Sequence, residues 1–128
     1  MKYLDCIELL NLALQQLRKG QRDQVPLSKL PEVLTLVTQS YRRTDNDEVK
    51  TFLTDVINGL NIAQQNTAVK FLPVSMKETL VEGIERALAS ICDLAWDYYT
   101  EHDVPEDHPN LLRTIVEYHY FKGSVSIV

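Results

Sequence analysis

The chain has 128 residues, of which 45% are hydrophobic and 24% are charged, and this balance is typical of an ordered globular protein. It excludes an intrinsically disordered chain, and no apolar run approaches the roughly 20 residues that a membrane-spanning helix needs. We expect one domain over residues 1–128. The apolar N-terminal segment is interrupted by Asp5, Glu8 and Asn11, and no small-residue cleavage site follows it. We therefore expect no signal peptide and a cytoplasmic protein.

The net charge of −5 is unevenly distributed along the chain. Nine acidic side chains fall between residues 78 and 107, where Arg86 is the only basic residue. Such a segment repels the phosphates of nucleic acid and attracts a basic protein surface or a cation. We therefore expect a basic protein partner.

The first helix is predicted over residues 2–19, because apolar side chains recur at spacings of three and four. These side chains are Tyr3, Ile7, Leu10, Leu14 and Leu17. Gly20 is a natural stop, and the linker around Pro26 should be exposed. The second helix should begin near Ser28, with Pro31 in its first turn, where the amide that proline lacks has no acceptor within the helix.

Arginines close the first two predicted helices, where positive charge complements the helix dipole. They are Arg18, Arg42 and Arg43. Together with Arg22 they form a conceivable nucleic-acid patch, but no aromatic residues are interleaved with them. The dipole accounts for these arginines without a ligand, so we expect no direct contact with nucleic acid.

The third helix should start near Asn46, because Asp45 and Glu48 have the spacing of a capping box. Its apolar period continues through Gly59, which costs about 1 kcal/mol relative to alanine inside a helix. A glycine at that position indicates either a close approach of a second helix or an end of the helix near Asn58, and we favour the close approach. The period is then lost, and Pro73 predicts an extended approach to the next element.

The longest periodic segment, residues 75–102, predicts the central helix of the fold. Ser75 and Glu78 suggest a capping box at its start, and the Val104-Pro105 pair predicts its end. One face is apolar and carries Leu80, Ile84, Ala87, Leu88, Ile91, Ala95 and Tyr98. The opposite face carries six carboxylates and is predicted to be solvated.

The final segment has two interpretations. A helix with Pro109 in its first turn and Gly123 at its end fits the apolar spacing. A hairpin that turns at Lys122-Gly123 would also fit the β-branched and aromatic residues, and the helix is the favoured interpretation. The sequence therefore predicts an all-α antiparallel bundle of four to five helices, with a short C-terminal hairpin as the alternative for its last residues.

Neither the cysteines nor the histidines form a recognisable reactive site. Cys6 and Cys92 occupy apolar helical positions, so we expect two reduced, structural thiols. His102 and His108 flank several acids, which is a conceivable zinc or nickel set, but the spacing matches no standard site. These acids are Asp103, Glu106 and Asp107. We expect no metal and no other cofactor.

The most informative segment, residues 93–103, interleaves aromatic and acidic residues. Adjacent helical positions point about 100° apart, so Trp96, Tyr98 and Tyr99 cannot all face one core. At least one of the three rings should be partly exposed beside the acids, a combination that suits a protein interface. The predicted partner-binding residues are Glu78, Glu82, Glu85, Asp93, Trp96, Asp97, Tyr98, Tyr99, Glu101 and Asp103.

Paired tyrosines beside acids resemble the surface with which colicin-nuclease immunity proteins bind their toxins. This analogy implies an inhibitor or immunity-like module that covers a basic protein. A structural subunit of a larger complex is a second interpretation, and it would use the same binding chemistry. The first hypothesis for function is therefore a small acidic helical protein-binding module rather than an enzyme.

A hypothesis of a different class concerns Arg113 and His119. Their separation resembles the Arg-x4-6-His element of HEPN ribonucleases, helical proteins in which a dimer brings two such pairs to one RNA site. The resemblance covers seven residues, and the chain lacks the polar residue after the arginine and the small residue after the histidine. It implies catalysis by Arg113 and His119, but the acidic surroundings disfavour RNA binding.

Overall fold

The structure is a computed structural model that describes residues 3–18, 25–65, 68–102 and 109–118. Helices pack against one another throughout this part of the chain, which confirms the predicted all-α bundle. They are α1 (Leu4–Arg18), α2 (Leu30–Arg43), α3 (Asp47–Gln65), α4 (Val74–Glu101) and α5 (Pro109–Glu117), with a 3-10 turn at Leu27–Lys29. None of the described helices combines the length and hydrophobicity that crossing a membrane requires.

Helix α4 is the central element of the bundle, as its sequence predicts. It packs against α1, α3 and α5, while α2 packs against α1 and α3. Its buried residues are Leu80, Ile84, Ala87, Leu88, Ile91, Cys92 and Ala95. Six of these residues are the ones predicted for the apolar face, and Cys92 is added to them. Tyr98, which was also predicted for that face, is half-buried at the edge of the core.

The start of α4 differs from the prediction. Helix α4 begins at Val74, and Pro73 is its N-cap, with an extended backbone and no side-chain cap hydrogen bond. Ser75 is already inside the helix, where its carbonyl accepts a hydrogen bond from the Thr79 hydroxyl. The capping box predicted for Ser75 and Glu78 is therefore wrong, because proline is held in the extended conformation that an N-cap needs.

The cap of α3 is also one residue away from the predicted one. The side chain of Asn46, rather than that of Asp45, accepts the amide of Val49 at 3.0 Å. The backbone amide of Asn46 in turn donates a hydrogen bond to Thr44 Oγ1 at 3.2 Å, which fixes the short turn between α2 and α3. The predicted helix start near Asn46 is confirmed, while the capping role given to Asp45 and Glu48 is wrong.

Two glycines bring α3 and α4 close together. A Cβ atom at Gly59 would lie 2.9 Å from Leu80 Cδ2, and one at Gly83 would lie 2.6 Å from Val56 Cγ2. The close contact predicted for Gly59 is confirmed. Gly83 has the same purpose on the facing helix, so neither helix carries a side chain where the two axes approach.

Two connections pair with each other at the end of the bundle where α4 begins. The amide of Leu27 donates to the carbonyl of Lys70, and the amide of Leu72 donates to the carbonyl of Val25, at 3.0 and 2.8 Å. Val25 is 0% exposed, so the linker around Pro26 is not a simple exposed loop. The extended approach predicted ahead of α4 is confirmed at Leu72.

Helix α5 covers the side of the bundle formed by α1 and α4. Its span supports the helical interpretation of the C-terminal segment for residues 109–117. Ile115 and Tyr118 are buried against the core. Burial, and next the carboxylate of Glu85, raises the pKa of the Tyr118 hydroxyl. The alternative hairpin turn at Lys122-Gly123 lies outside the described residues.

Candidate protein-contact surface on helix α4

Helix α4 presents most of its carboxylates to solvent. The exposed ones are Glu78, Glu82, Asp93, Asp97 and Glu101. Glu85 differs from the solvated residue that its spacing suggests: its side chain is 21% exposed, and its Oε1 atom lies 3.2 Å from Arg18 Nη2. Asp103 lies outside the described residues.

The acidic residues wind around α4 instead of following one straight line. Each step of four residues advances about 40° beyond a full turn, because an α-helix has 3.6 residues per turn. Glu85 and Glu101 are 16 positions apart and therefore differ by about 160° around the axis. The carboxylates therefore spread over an arc of about 160° around the axis. We treat residues 74–87 as the N-terminal half of α4 and 88–101 as its C-terminal half.

Arginines compensate two of the three carboxylates of the N-terminal half. Glu85 pairs with Arg18 from α1, and Glu82 pairs with Arg86 one turn later on α4. Such exposed pairs contribute about 0 to 1 kcal/mol to stability. Their larger effect is on the surface potential, because each removes one net negative charge from this half.

The C-terminal half has no such compensation from its own sequence. Residues 88–101 contain no lysine or arginine. Asp97 and Glu101 are exposed, and neither forms an ion pair within the described part of the chain. Both lie near the carboxyl end of α4, where the helix dipole disfavours negative charge by about 0.3–1 kcal/mol per residue. Asp97 and Glu101 are thus uncompensated carboxylates.

Tyr98 lies at the centre of a cluster of aromatic rings beside these acids. Its ring meets Tyr3 and Tyr99 edge-on, with centroid distances of 5.8 and 4.8 Å. His102 stacks on it at 4.1 Å, and the Nδ1 atom of His102 lies 2.9 Å from the Tyr98 carbonyl oxygen. The cluster therefore holds the end of α4 against the start of α1.

The three aromatic residues predicted for the interface have different packing. All three are half-buried, as the expectation of partial exposure required. Trp96 and Tyr99 pack against the hydrophobic core. Burial, with Tyr98 and Tyr3 nearby, raises the pKa of the Tyr99 hydroxyl, which stays protonated at neutral pH. Tyr98 is the ring least committed to the core and therefore the best contact residue.

Both cysteines are free and buried, as predicted. The Sγ atom of Cys6 lies 2.8 Å from Ser40 Oγ, and the Ser40 hydroxyl also approaches the Cys6 carbonyl at 3.3 Å. Burial is the main cause that raises the pKa of each thiol. Neither thiol is therefore a nucleophile at neutral pH, because the thiolate is the reactive form.

The other candidate sites are only partly described. Arg113 is exposed on α5, but His119 lies outside the described residues, so the predicted ribonuclease pair stays a prediction. The described residues contain no group of three histidine, cysteine or acidic side chains placed to hold a metal ion. His108 and its neighbouring acids lie outside them, as does Arg22.

No family model, curated protein or solved structure matches the chain. The function must therefore be inferred from the surface itself. The sequence identified the acids and rings of α4. It did not predict that Tyr3 and Arg18 contact α4, because both lie far from α4 along the chain. No local signal in the sequence marks these two residues.

Proposed function

We propose that this protein is a small acidic helical module that binds a basic protein through the C-terminal half of α4. The observation that carries the proposal is the position of Asp97 and Glu101, exposed at the carboxyl end of the helix beside the half-buried ring of Tyr98. Carboxylates steer a basic partner toward the surface, and an aromatic residue supplies binding energy once it is reached.

Unfavourable electrostatics in the free protein support this assignment. Asp93, Asp97 and Glu101 follow one another at intervals of four, where like charges on a helix repel each other by about 0.2–0.5 kcal/mol per pair. The dipole adds to this cost at Asp97 and Glu101. A cationic partner would relieve both terms on binding, so the bound state would gain stability that the free helix lacks.

An inhibitor or immunity-like protein would use such a surface to cover a basic region of its target. Steering by the acids would make association fast at low salt and slower as salt screens the charges. A subunit of a larger complex would use the same residues. The two differ in the partner's identity rather than in the chemistry of this surface.

Charge reversal in the two halves of α4 tests the proposal. We expect the Asp97→Lys/Glu101→Lys variant to lose capture of a basic protein from the native host that the unaltered protein retains after salt washes. The matched control, Glu78→Lys/Glu82→Lys, makes the same change in net charge in the N-terminal half. The recovered partner is then purified, and its affinity for all three proteins is measured directly.

The outcomes separate a specific surface from general attraction between opposite charges. Loss of affinity in the C-terminal variant alone supports the assignment. Equal loss in both variants means that only net charge matters, and unchanged affinity in both means that the contact lies elsewhere. Either result contradicts the proposed surface, as does the failure of any basic protein to bind.

A further inference from the structure

A cleft of about 580 Å³ lies beside the proposed contact surface, between the start of α1, the turn joining α2 to α3, and α4. It is lined by Tyr3, Cys6, Arg43, Thr44, Asp45, Asn46, Ile91 and Leu94. Asp97 and Tyr98 follow Leu94 by three and four residues and therefore occupy the next turn on the same side of α4. The cleft and the acidic surface are continuous.

The floor of the cleft is apolar. Cys6 and Ile91 are almost completely buried at its base, and Leu94 and Tyr3 are half-buried at its sides. A side chain that enters must therefore present an aliphatic or aromatic portion to these residues. The floor alone does not select a charge.

The rim selects a positive charge. Arg43 is the basic residue that lines the cleft, and its Nη1 atom lies 3.0 Å from Asp5 Oδ2, so that pair is neutral overall. Asp45 is exposed and forms no ion pair with any described residue. Asp45 therefore leaves a negative charge among the lining residues, and Asp97 lies one turn beyond Leu94, outside the lining.

The walls are held in place before any ligand arrives. Thr44 and Asn46 flank Asp45, and both take part in the hydrogen bonds of the α2–α3 turn. On the other wall, the Tyr3 ring packs edge-on against Tyr98, with a centroid distance of 5.8 Å. A preformed cleft reduces the ordering cost of binding.

We infer that this cleft takes an arginine side chain of the basic partner, an inference that rests on the proposed function. The three methylene groups of arginine would pack on Ile91 and Leu94. The planar guanidinium would lie at the rim, within reach of Asp45 and beside the Tyr3 ring, on which guanidinium groups stack well. Lysine offers the same charge but not the planar group, so it should bind less well.

Short capped peptides test the inference without the natural partner. The probes are four pentapeptides in which two arginines, two lysines, two norleucines or two glutamates alternate with glycine. Each is titrated into the isotope-labelled full chain at low salt, and amide chemical shifts are followed. We expect the arginine peptide to shift residues that line the cleft and to bind at least about threefold more tightly than the lysine peptide.

Two variants with matched controls locate the site. Leu94→Trp fills the cleft and should weaken arginine-peptide binding about tenfold, whereas Leu12→Trp adds the same ring on an exposed face of α1 and should not. Asp45→Asn changes only an exposed carboxylate, so it keeps the test valid if Leu94→Trp folds poorly. It should weaken binding about threefold, with Asp55→Asn on α3 as its control.

Each result has one meaning. Shifts confined to the cleft that both variants reduce support the inference. Shifts spread over the acids of α4 and unaffected by the variants overturn it while leaving the proposed function in place. Equal or tighter binding of the lysine, norleucine or glutamate peptide also overturns it. No shift from any basic peptide contradicts both the cleft and the proposed acidic contact surface.

Discussion

The two halves of α4 carry equal numbers of acidic residues and differ in what surrounds them. In the N-terminal half, Arg18 and Arg86 pair with Glu85 and Glu82. In the C-terminal half, no arginine or lysine is present in the sequence, and a tyrosine cluster takes their place. A count of acidic residues therefore does not identify a binding surface, because the positions of the nearest cations decide where negative charge remains unbalanced.

Packing separates the same two halves. Gly83 lets the N-terminal half approach α3 without an intervening side chain. The C-terminal half carries bulky rings and borders the cleft beside the start of α1. We therefore expect substitutions in the first half to change mainly the free energy of unfolding, and exposed substitutions in the second half to change mainly the affinity for a partner.

The largest effect is expected when the helix contact of the N-terminal half is broken. Gly83→Leu should lower the free energy of unfolding by about 3 kcal/mol, because the new side chain meets Val56, whose χ1 is stiff in a helix. Denaturant unfolding measures this change. Gly59→Ala is the control: it faces the flexible end of Leu80 and gains about 1 kcal/mol of helix propensity, so it should be nearly neutral. Equal losses would mean that the contact is looser than described.

Alkaline pH should weaken the packing beneath the C-terminal half. Burial raises the pKa of Cys6 and Cys92 above their ordinary value of 9.0. Between pH 8 and pH 10 the thiols of the unfolded chain ionise to a greater extent than the buried thiols do. The unfolded state then binds fewer protons, and the free energy of unfolding should fall by up to about 2.5 kcal/mol for the two thiols.

Unfolding in denaturant at several pH values measures this decline. The Cys6→Ala/Cys92→Ala variant should be less stable at pH 8 but should lose less of its remaining stability on going to pH 10. If it declines as steeply as the unaltered protein, then groups other than the thiols cause the alkaline destabilisation.

The next prediction concerns the aromatic ring that the C-terminal half offers to a partner. Tyr98→Ala should weaken partner binding about 30-fold, or about 2 kcal/mol, because half-exposed tyrosines often dominate interface energies. Isothermal titration calorimetry or surface plasmon resonance measures the affinity. Tyr41→Ala removes a half-exposed tyrosine from α2 and should leave affinity unchanged. A loss of binding in both variants would indicate a general loss of folded structure.

The smallest effect concerns single charges. Asp97→Asn should slow association with the partner about threefold at low salt, and the effect should fade as ionic strength rises. Glu82→Gln should have less effect, because Arg86 already balances that carboxylate. Stopped-flow kinetics at two salt concentrations distinguishes the two. If Glu82→Gln slows association as much as Asp97→Asn, the proposed difference in charge between the halves is wrong.

The helices could be predicted because their information is local. The spacing of Leu80, Ile84 and Ile91 predicts which face of α4 is buried, and Gly59 inside a periodic segment predicts a close helix contact. The helix starts were less accurate. Ser75 and Glu78 match a capping pattern, yet Pro73 lies two residues earlier and already provides the extended conformation of an N-cap.

The candidate surface was harder to predict because it depends on contacts between distant residues. Arg18 meets Glu85 across 67 positions, and Tyr3 meets Tyr98 across 95. Neither pairing leaves a local pattern. The sequence therefore predicted the acids and rings of α4 but not which carboxylates are compensated, and it gave no sign of the cleft.

The position of Tyr3 has a practical consequence for any binding measurement. Tyr3 lines the cleft and its ring contacts Tyr98, so a group attached close to Tyr3 lies next to the proposed contact surface. A capture tag fused before Tyr3 would orient an immobilised protein with this surface toward the solid support, where a bulky partner has the least access. Attachment through an engineered thiol at an exposed position near the end of α3, such as Asn61, would instead leave that surface facing solution.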